Sequence, residues 1–152
     1  MNLVKKANNK NFKDIEDIGK ESLPIYYTVS DLIMLEMTKH LILKLTNDKE
    51  IIGFAVCRET LDNIHILSIA IKKANRKEGL GTKILDFIKS KNKNISLYVH
   101  TINDVALSFY KKNSFIISDI LFGYYETFED EKDAYKMICK NINSTINSNC
   151  ES

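Results

Sequence analysis

Residues 75–85 read NRKEGLGTKIL, with Gly79 and Gly81 one residue apart and Arg76 three before the first, in a chain of 152 residues that has only five glycines. Apolar residues at helical spacing follow at once. Glycine lets the backbone turn sharply and lets a ligand approach without side chains in the way. A helix start presents N–H groups that have no intrahelical acceptor, together with a partial positive charge. The combination makes an anion site suited to phosphate. It is not a P-loop, because no Gly-Lys-Ser/Thr follows at the required spacing. It is not the dinucleotide fingerprint either, which needs a third glycine and an acidic residue after the next strand. A different pyrophosphate ligand is indicated, with a plain tight turn as the bland alternative.

The elements that must position this loop follow from periodicity. LVKKA, from Leu3, reads as a short strand. NFKDIEDIGKESL, capped by Asn11, carries Phe12, Ile15 and Ile18 on one face and reads as a helix that Pro24 ends. SDLIMLEMTKH opens with Ser30 and Asp31 as a capping pair and reads as a second helix. The period then changes. Residues 41–73 form three β-rich runs separated by NDKE and LDN, turns of hairpin length, so an antiparallel meander is expected. TKILDFIKSK is a helix with Ile84, Leu85 and Ile88 inward, ISLYVHT a strand, and NDVALSFYKKN a helix capped by Asn103. FIISDILFGYY and DAYKMICKN close the chain as strands joined by the acidic ETFEDEK. The order is β-α-α-β-β-β-α-β-α-β-β. A helix crossing between the fourth and fifth strands predicts a parallel pair there. The fold class expected is a mixed α/β sheet.

Composition bounds the function. Hydrophobic residues make up 44% and charged residues 28% of the chain, an ordinary globular balance for one domain over residues 1–142. A net charge of +2 is too small to argue for a nucleic-acid partner. Cys57, Cys139 and Cys150 are odd in number and widely spaced, so neither a disulfide framework nor a metal site is expected, and a cytoplasmic setting is. The N-terminus lacks a signal-peptide core, and no apolar run is long enough to cross a bilayer. Residues 143–152 have little to bury and are expected to be disordered.

Context sharpens the glycine loop. IHILSIAI precedes it, and Asn103, Ala106, Phe109 and Tyr110 follow in the spacing Asn-x-x-Ala-x-x-Phe-Tyr. With Arg-x-x-Gly-x-Gly, this resembles the GNAT acetyltransferases, whose signature loop holds the pyrophosphate of acetyl-CoA. Residues 3–142 look like an N-terminal (Nα) acetyltransferase of the San or NatE catalytic-subunit type. The stretch LPIYY, residues 23–27, is similar to that family's Phe-Pro-Val-x-Tyr loop, and GYYETFEDEKDAYKM to its Tyr-Tyr hairpin.

The resemblance implies a seven-stranded, mostly antiparallel sheet with one parallel, splayed pair and about four helices. It implies acetyl-CoA as cofactor, contacted by Ile69, Ala70, Ile71, Arg76, Lys77, Glu78, Gly79, Leu80, Gly81, Thr82, Asn103 and Tyr110. Leu23, Pro24 and Tyr27 would cradle the substrate's first residue, while Leu67, Tyr124 and Tyr125 would contact the peptide. The partner implied is a protein or peptide N-terminus, with a ribosome-associated N-terminal acetylation complex as a further one. No nucleic acid, membrane or metal is implied.

Two departures stand out. Where the San type has a tyrosine and then a histidine to deprotonate the amine through water, this chain has His65 and Tyr98, with His100 two residues on. Before Arg76 it has Ala74 and Asn75 in place of a proline and an aromatic residue. The chemistry implied is direct attack of a neutral amine on the acetyl thioester. A histidine of reference pKa ~6.5 can take the proton. His65 is the first candidate, Tyr98 orders the water, and Tyr110 serves the departing thiolate. Each also has a bland reading: His65 as a packed strand histidine, Tyr98, Tyr124 and Tyr125 as sheet packing, Pro24 as a helix stop. Acetylation of lysine or polyamines, and a non-catalytic CoA-binding subunit, are the competing functions.

Overall fold

The computed structural model describes residues 1–125 and 133–141. Among the described residues, seven strands order as β1-β2-β3-β4-β5-β7-β6 in a mixed sheet with one parallel pair, accompanied by four α-helices. The expected fold class and element order are those found. The strands are β1 (Leu3–Lys6), β2 (Leu41–Thr46), β3 (Ile51–Glu59), β4 (Asn63–Ile71), β5 (Asn94–His100), β6 (Ile116–Leu121) and β7 (Ala134–Cys139). The helices are α1 (Phe12–Ser22), α2 (Val29–Met37), α3 (Leu80–Lys89) and α4 (Asp104–Lys112). The chain divides into two compact units, one of residues 1–59 and 66–90, the other of residues 60–65 and 91–152.

In the first unit, β1, β2 and β3 pair antiparallel, Leu3 opposite Thr46 and Leu41 opposite Cys57. The turn between β2 and β3 is the expected NDKE. Asn47 Oδ1 accepts the N–H groups of Lys49 and Glu50 at 2.9 and 2.8 Å, which fixes the hairpin. Phe12, Ile15 and Ile18 of α1 bury their shared face against Leu32, Ile42, Phe54, Val56 and Ala70. Burying side chains of this size contributes roughly 1.5–3 kcal/mol each.

Asn11 takes the N-cap position of α1, as expected, but makes no side-chain cap bond there. The 3-10 turn before it is capped by Asn8, whose side chain accepts from Lys10 N–H at 3.0 Å, while Asn11 Oδ1 accepts from Asn8 N–H at 2.9 Å. Thr28, not Ser30, opens α2. Thr28 Oγ1 accepts from Asp31 N–H at 3.2 Å and the Asp31 carboxylate accepts from Thr28 N–H at 2.9 Å, a reciprocal capping box. These bonds hold the Asp31 carboxyl below its ordinary range.

In the second unit, β7 lies between β5 and β6, antiparallel to both, with Tyr98 opposite Lys136 and Leu121 opposite Ala134. Ile95, Leu97 and Val99 of β5 are buried, as are Leu107 and Tyr110 of α4 and Phe115 after it. The strand expected to reach Tyr125 stops at Leu121. Gly123 takes φ +69°, a left-handed turn that ends pairing, and its N–H donates to Asp133 Oδ1 at 2.8 Å. The ETFEDEK segment, residue 142 and the tail at 143–152 lie outside the described residues. Cys57 is buried and Cys139 half-buried, and Cys150 lies outside the described residues. Among the described residues no helix is long and apolar enough to cross a membrane.

Candidate active site

The glycine loop turns the chain into a helix start, a geometry that suits an anion. Lys77 and Gly79 both take left-handed backbone, φ +69° and +74°, and α3 begins at Leu80, two residues before the expected start. Gly79 occupies the N-cap position, and an added Cβ there would meet nothing within 4 Å. Gly81 lies inside the first helical turn. The two glycines therefore do different work, one turning the chain into the helix and the other riding on it. Gly79 C=O accepts from Lys83 N–H at 3.4 Å, so the N–H groups of Leu80, Gly81 and Thr82 precede the first intrahelical bond and remain available for an anion. Arg76 Nε donates to the carbonyl of Ile71 at 3.1 Å, bracing the loop against the end of β4. Lys77, Glu78 and Gly79 are exposed.

The loop between α1 and α2 is also in the first unit. Leu23 is the C-cap of α1 and packs with Tyr27 and Leu67 against the core of that unit, while Pro24 is exposed. Glu16 fixes where the loop returns. Its carboxylate accepts from Val29 N–H at 2.6 Å, and this bond, with Lys13 beside it, holds the Glu16 carboxyl below its ordinary range.

In the second unit five polar rings form one continuous chain. His65 and Tyr98 stand 4.8 Å apart by ring centroids, Tyr98 and Tyr124 4.7 Å, Tyr124 and Tyr125 4.9 Å, and Tyr125 and His100 4.9 Å. The elements explain the chain. Tyr98 and His100 are two apart on β5 and share a face. The turn at Gly123, tied to Asp133, carries Tyr124 and Tyr125 out of the sheet and back over that face. Burial, with the neighbouring Tyr124 second, pushes the Tyr125 phenol up to about 12, so it stays protonated over the physiological range.

His65 is buried at 6% exposure, and its Nδ1 lies 2.8 Å from the hydroxyl of Ser96, itself buried at 6%. Asn63 Nδ2 donates to the same hydroxyl at 3.2 Å. Ser96 and Asn63 were missed in the sequence. Nothing periodic marks them, because they meet only when the start of β4 lies beside β5. The structure thus brings together His65, Tyr98, His100, Tyr124 and Tyr125, all singled out in the sequence.

Asn103 and Tyr110 belong to the same unit. Asn103 Oδ1 accepts from Ala106 N–H at 3.1 Å, so its side chain caps α4. Tyr110 is 7% exposed and lies edge-on to Phe109 and Phe115, at 5.1 and 5.5 Å.

Comparison with known proteins agrees with this architecture. The chain is 28% identical over 149 residues to an uncharacterized N-acetyltransferase of Methanocaldococcus jannaschii, covering 93% of this chain and 94% of that protein. Its structure is similar to Ard1 from Thermoplasma volcanium, with a TM-score of 0.79 and 27% identity over 91% of this chain and 96% of that one. It is also similar to Arabidopsis thaliana Naa50, solved in complex with the bisubstrate analogue CoA-Ac-MVNAL, with a TM-score of 0.79 and 20% identity over 91% of this chain and 98% of that one. Residues 38–117, more than half of the chain and inclusive of the glycine loop and the α4 motif, match the acetyltransferase (GNAT) domain. The chain belongs to the GNAT acetyltransferases.

Proposed function

We propose that this acetyltransferase acts on the free α-amine of protein N-termini, Met-starting ones among them, with acetyl-CoA as donor. The observation that carries the reading is the chain of rings from His65 through Tyr98, Tyr124 and Tyr125 to His100. Such a wall offers hydroxyls and ring nitrogens to a peptide backbone and flat apolar faces to its first side chains. Likeness to Ard1, and to a Naa50 bound to an analogue carrying the peptide MVNAL, supports it.

The residues of the glycine loop fit the donor. Open space above Gly79, the unpaired start of α3, and the cations Arg76 and Lys77 suit a pyrophosphate. Glu78, Leu80, Gly81 and Thr82 complete that cradle through their backbone. Ile69, Ala70 and Ile71 would offer backbone groups to the acetyl carbonyl, an oxyanion-type role. Asn103 would contact the donor, and Tyr110 would give a hydrogen bond to the departing sulfur. When bound, acetyl-CoA supplies an acetyl group activated as a thioester.

The remaining roles belong to the acceptor. Leu23, Pro24, Tyr27 and Leu67 would surround its first side chain, and Tyr124 and Tyr125 its backbone. His65 and Tyr98 would meet the amine. An α-amine has a reference pKa near ~8 and a lysine near ~10.4, so at pH 7.5 the neutral fraction of the α-amine is about two hundred times larger. An N-terminal substrate therefore needs little help in losing its proton. A protein N-terminus, as displayed to a ribosome-associated acetylation complex, is the partner of this reading.

The experiment is release of CoA thiol by the isolated protein, with a short Met-starting peptide and with its Nα-blocked twin. Release with the free peptide alone supports the proposal. No release with either leaves a CoA-binding subunit, and equal release with a lysine-bearing blocked twin leaves a lysine acetyltransferase.

A further inference from the structure

Gly53, buried on β3, stands where three elements come close together. A Cβ built on it would lie 2.7 Å from Ile71 Cδ1, 3.0 Å from the carbonyl oxygen of Ala70 and 3.6 Å from Ile84 Cδ1. Ala70 and Ile71 end β4, and Ile84 belongs to α3. The three neighbours differ in what they can yield. The tip of the Ile71 side chain can swing aside. Ile84 is in ordinary van der Waals contact, so α3 need not move. The Ala70 carbonyl is backbone. A carbon at 3.0 Å is closer than even a C–H···O contact, which settles at about 3.3–3.6 Å, so the end of β4 would have to retreat by a few tenths of an ångström.

That end of β4 is held on both sides. Lys72 N–H donates to the carbonyl of Ile52 at 2.8 Å, and Arg76 Nε donates to the carbonyl of Ile71 at 3.1 Å. Gly53 and Ile51 lie opposite the adjacent residues Leu45 and Thr46, so Ile52 is an extra residue on β3, a bulge, and it is this residue that holds Lys72. A bulge beside a strand glycine is a place where another backbone comes close.

We propose that Gly53 is a positioning residue for acetyl transfer: the space left by its missing side chain fixes the peptide unit between Ala70 and Ile71, and with it the backbone groups offered to the acetyl carbonyl. This rests on the reading above that the acetyl carbonyl lies at the end of β4. Misplacing reacting groups by 1 Å can lower a rate about 10²-fold, so a retreat of a few tenths corresponds to about 3- to 10-fold. The pyrophosphate end of the donor is bound by the start of α3, which stays in place. The loss therefore falls on kcat more than on donor affinity.

The test pairs kinetics with a direct view of the carbonyl. The donor is [1-13C]acetyl-CoA, whose carbonyl resonance moves downfield when it accepts a hydrogen bond. The acceptor is whichever amine the wild-type protein acetylates fastest. Gly53→Ala is expected to lower kcat about 3- to 10-fold, to weaken acetyl-CoA by less than about threefold in calorimetry, and to lose most of the downfield shift. Leu43→Val, which loosens the same unit from β2, is expected to keep wild-type kcat and shift. Gly53→Ala/Ile71→Val removes the nearest obstacle and leaves the Ala70 carbonyl contact. It should recover stability, supplying a folded protein if the single variant is lost, while kcat and shift stay low beside Ile71→Val alone. Wild-type kcat and bound shift in Gly53→Ala overturn the proposal, as does their return when Ile71→Val is added. A wild-type complex with no downfield shift would instead sink the placement of the carbonyl at β4, and this proposal with it. Rejection of N-terminal amines in favour of another acceptor would sink the substrate reading and leave this one standing.

Discussion

The ring of Tyr124, which follows the left-handed turn at Gly123, meets the ring of Tyr98 in the middle of β5 at a centroid distance of 4.7 Å and an angle of 49°. A residue beyond the end of β6 thus completes a wall begun on another strand. Tyr124 is 48% exposed, so the contact does little for stability and leaves a face open to a peptide. Tyr124→Ala should change stability by no more than about 0.5 kcal/mol. It should raise KM for the peptide about 2- to 10-fold, the worth of one aromatic contact, with kcat less affected. Steady-state kinetics beside a denaturant melt checks both, and an unchanged KM would take Tyr124 out of the substrate site.

Tyr125 gives a prediction in alkali. Its phenol is raised in the folded state to about 12 from an ordinary 10.0. The folded protein therefore holds that proton where the unfolded chain has released it. Stability is fully present below pH 10, falls as pH rises through 10 toward 12, and goes on favouring the unfolded chain above that. Tyr125→Phe should remove this part of the alkaline slope. In an ultraviolet titration of the folded protein, one of the seven tyrosines should ionise late, and that late step should vanish in the variant.

The glycine loop separates backbone from charge. At φ +74° an L-residue pays for left-handed backbone, so Gly79→Ala should lose about 1 kcal/mol of stability. Asparagine tolerates that region, and Gly79→Asn should keep most stability and affinity for CoA. Gly79→Asp has nearly the same shape but brings a negative charge to the phosphates, so CoA should bind about tenfold more weakly than to the asparagine variant. Calorimetry with CoA measures the difference, and equal affinities for the two variants would remove the pyrophosphate from this loop.

Asn103 has two roles to distinguish, the cap that is seen and the ligand contact that is proposed. Asn103→Ala should cost about 1 kcal/mol through the lost bond to Ala106 N–H, and lower Tm by about 2–4 °C. Asn103→Ser restores a cap. If it also restores CoA affinity, the side chain serves the helix alone; if stability returns and affinity does not, it touches the ligand as well.

Much of this architecture was legible because its signals are local. The apolar faces of α1 and α3 repeat at helical period, and Asn47 and Asn103 sit where a turn and a cap require them. Boundaries were less legible where two residues compete for one role. Thr28 and Ser30 can both cap, and Thr28 wins because Asp31 answers it three residues on. Asn11 holds the N-cap position of α1 without a cap bond, because its side chain turns back to Asn8 N–H across the preceding 3-10 turn. The end of β6 was misplaced because aromatic residues after it carry strand propensity, while Gly123 and the distant Asp133 decide the turn. In the site, His65, Tyr98 and the two tyrosines were nameable from motif position. Ser96 and Asn63 were not, since a hydroxyl between two strands leaves no trace in either strand's periodicity.

The central claim is that the acceptor is an α-amine at a chain end. One peptide decides it: a Met-starting sequence with a free N-terminus and an internal lysine, incubated with the isolated protein and acetyl-CoA, then fragmented in a mass spectrometer. The two amines compete on one molecule at one concentration, so the position of the added acetyl group reports selectivity with no correction for binding. Acetyl on the N-terminal methionine, in large excess over the lysine, is the result predicted. Acetyl on the lysine, or on both amines equally, would contradict it.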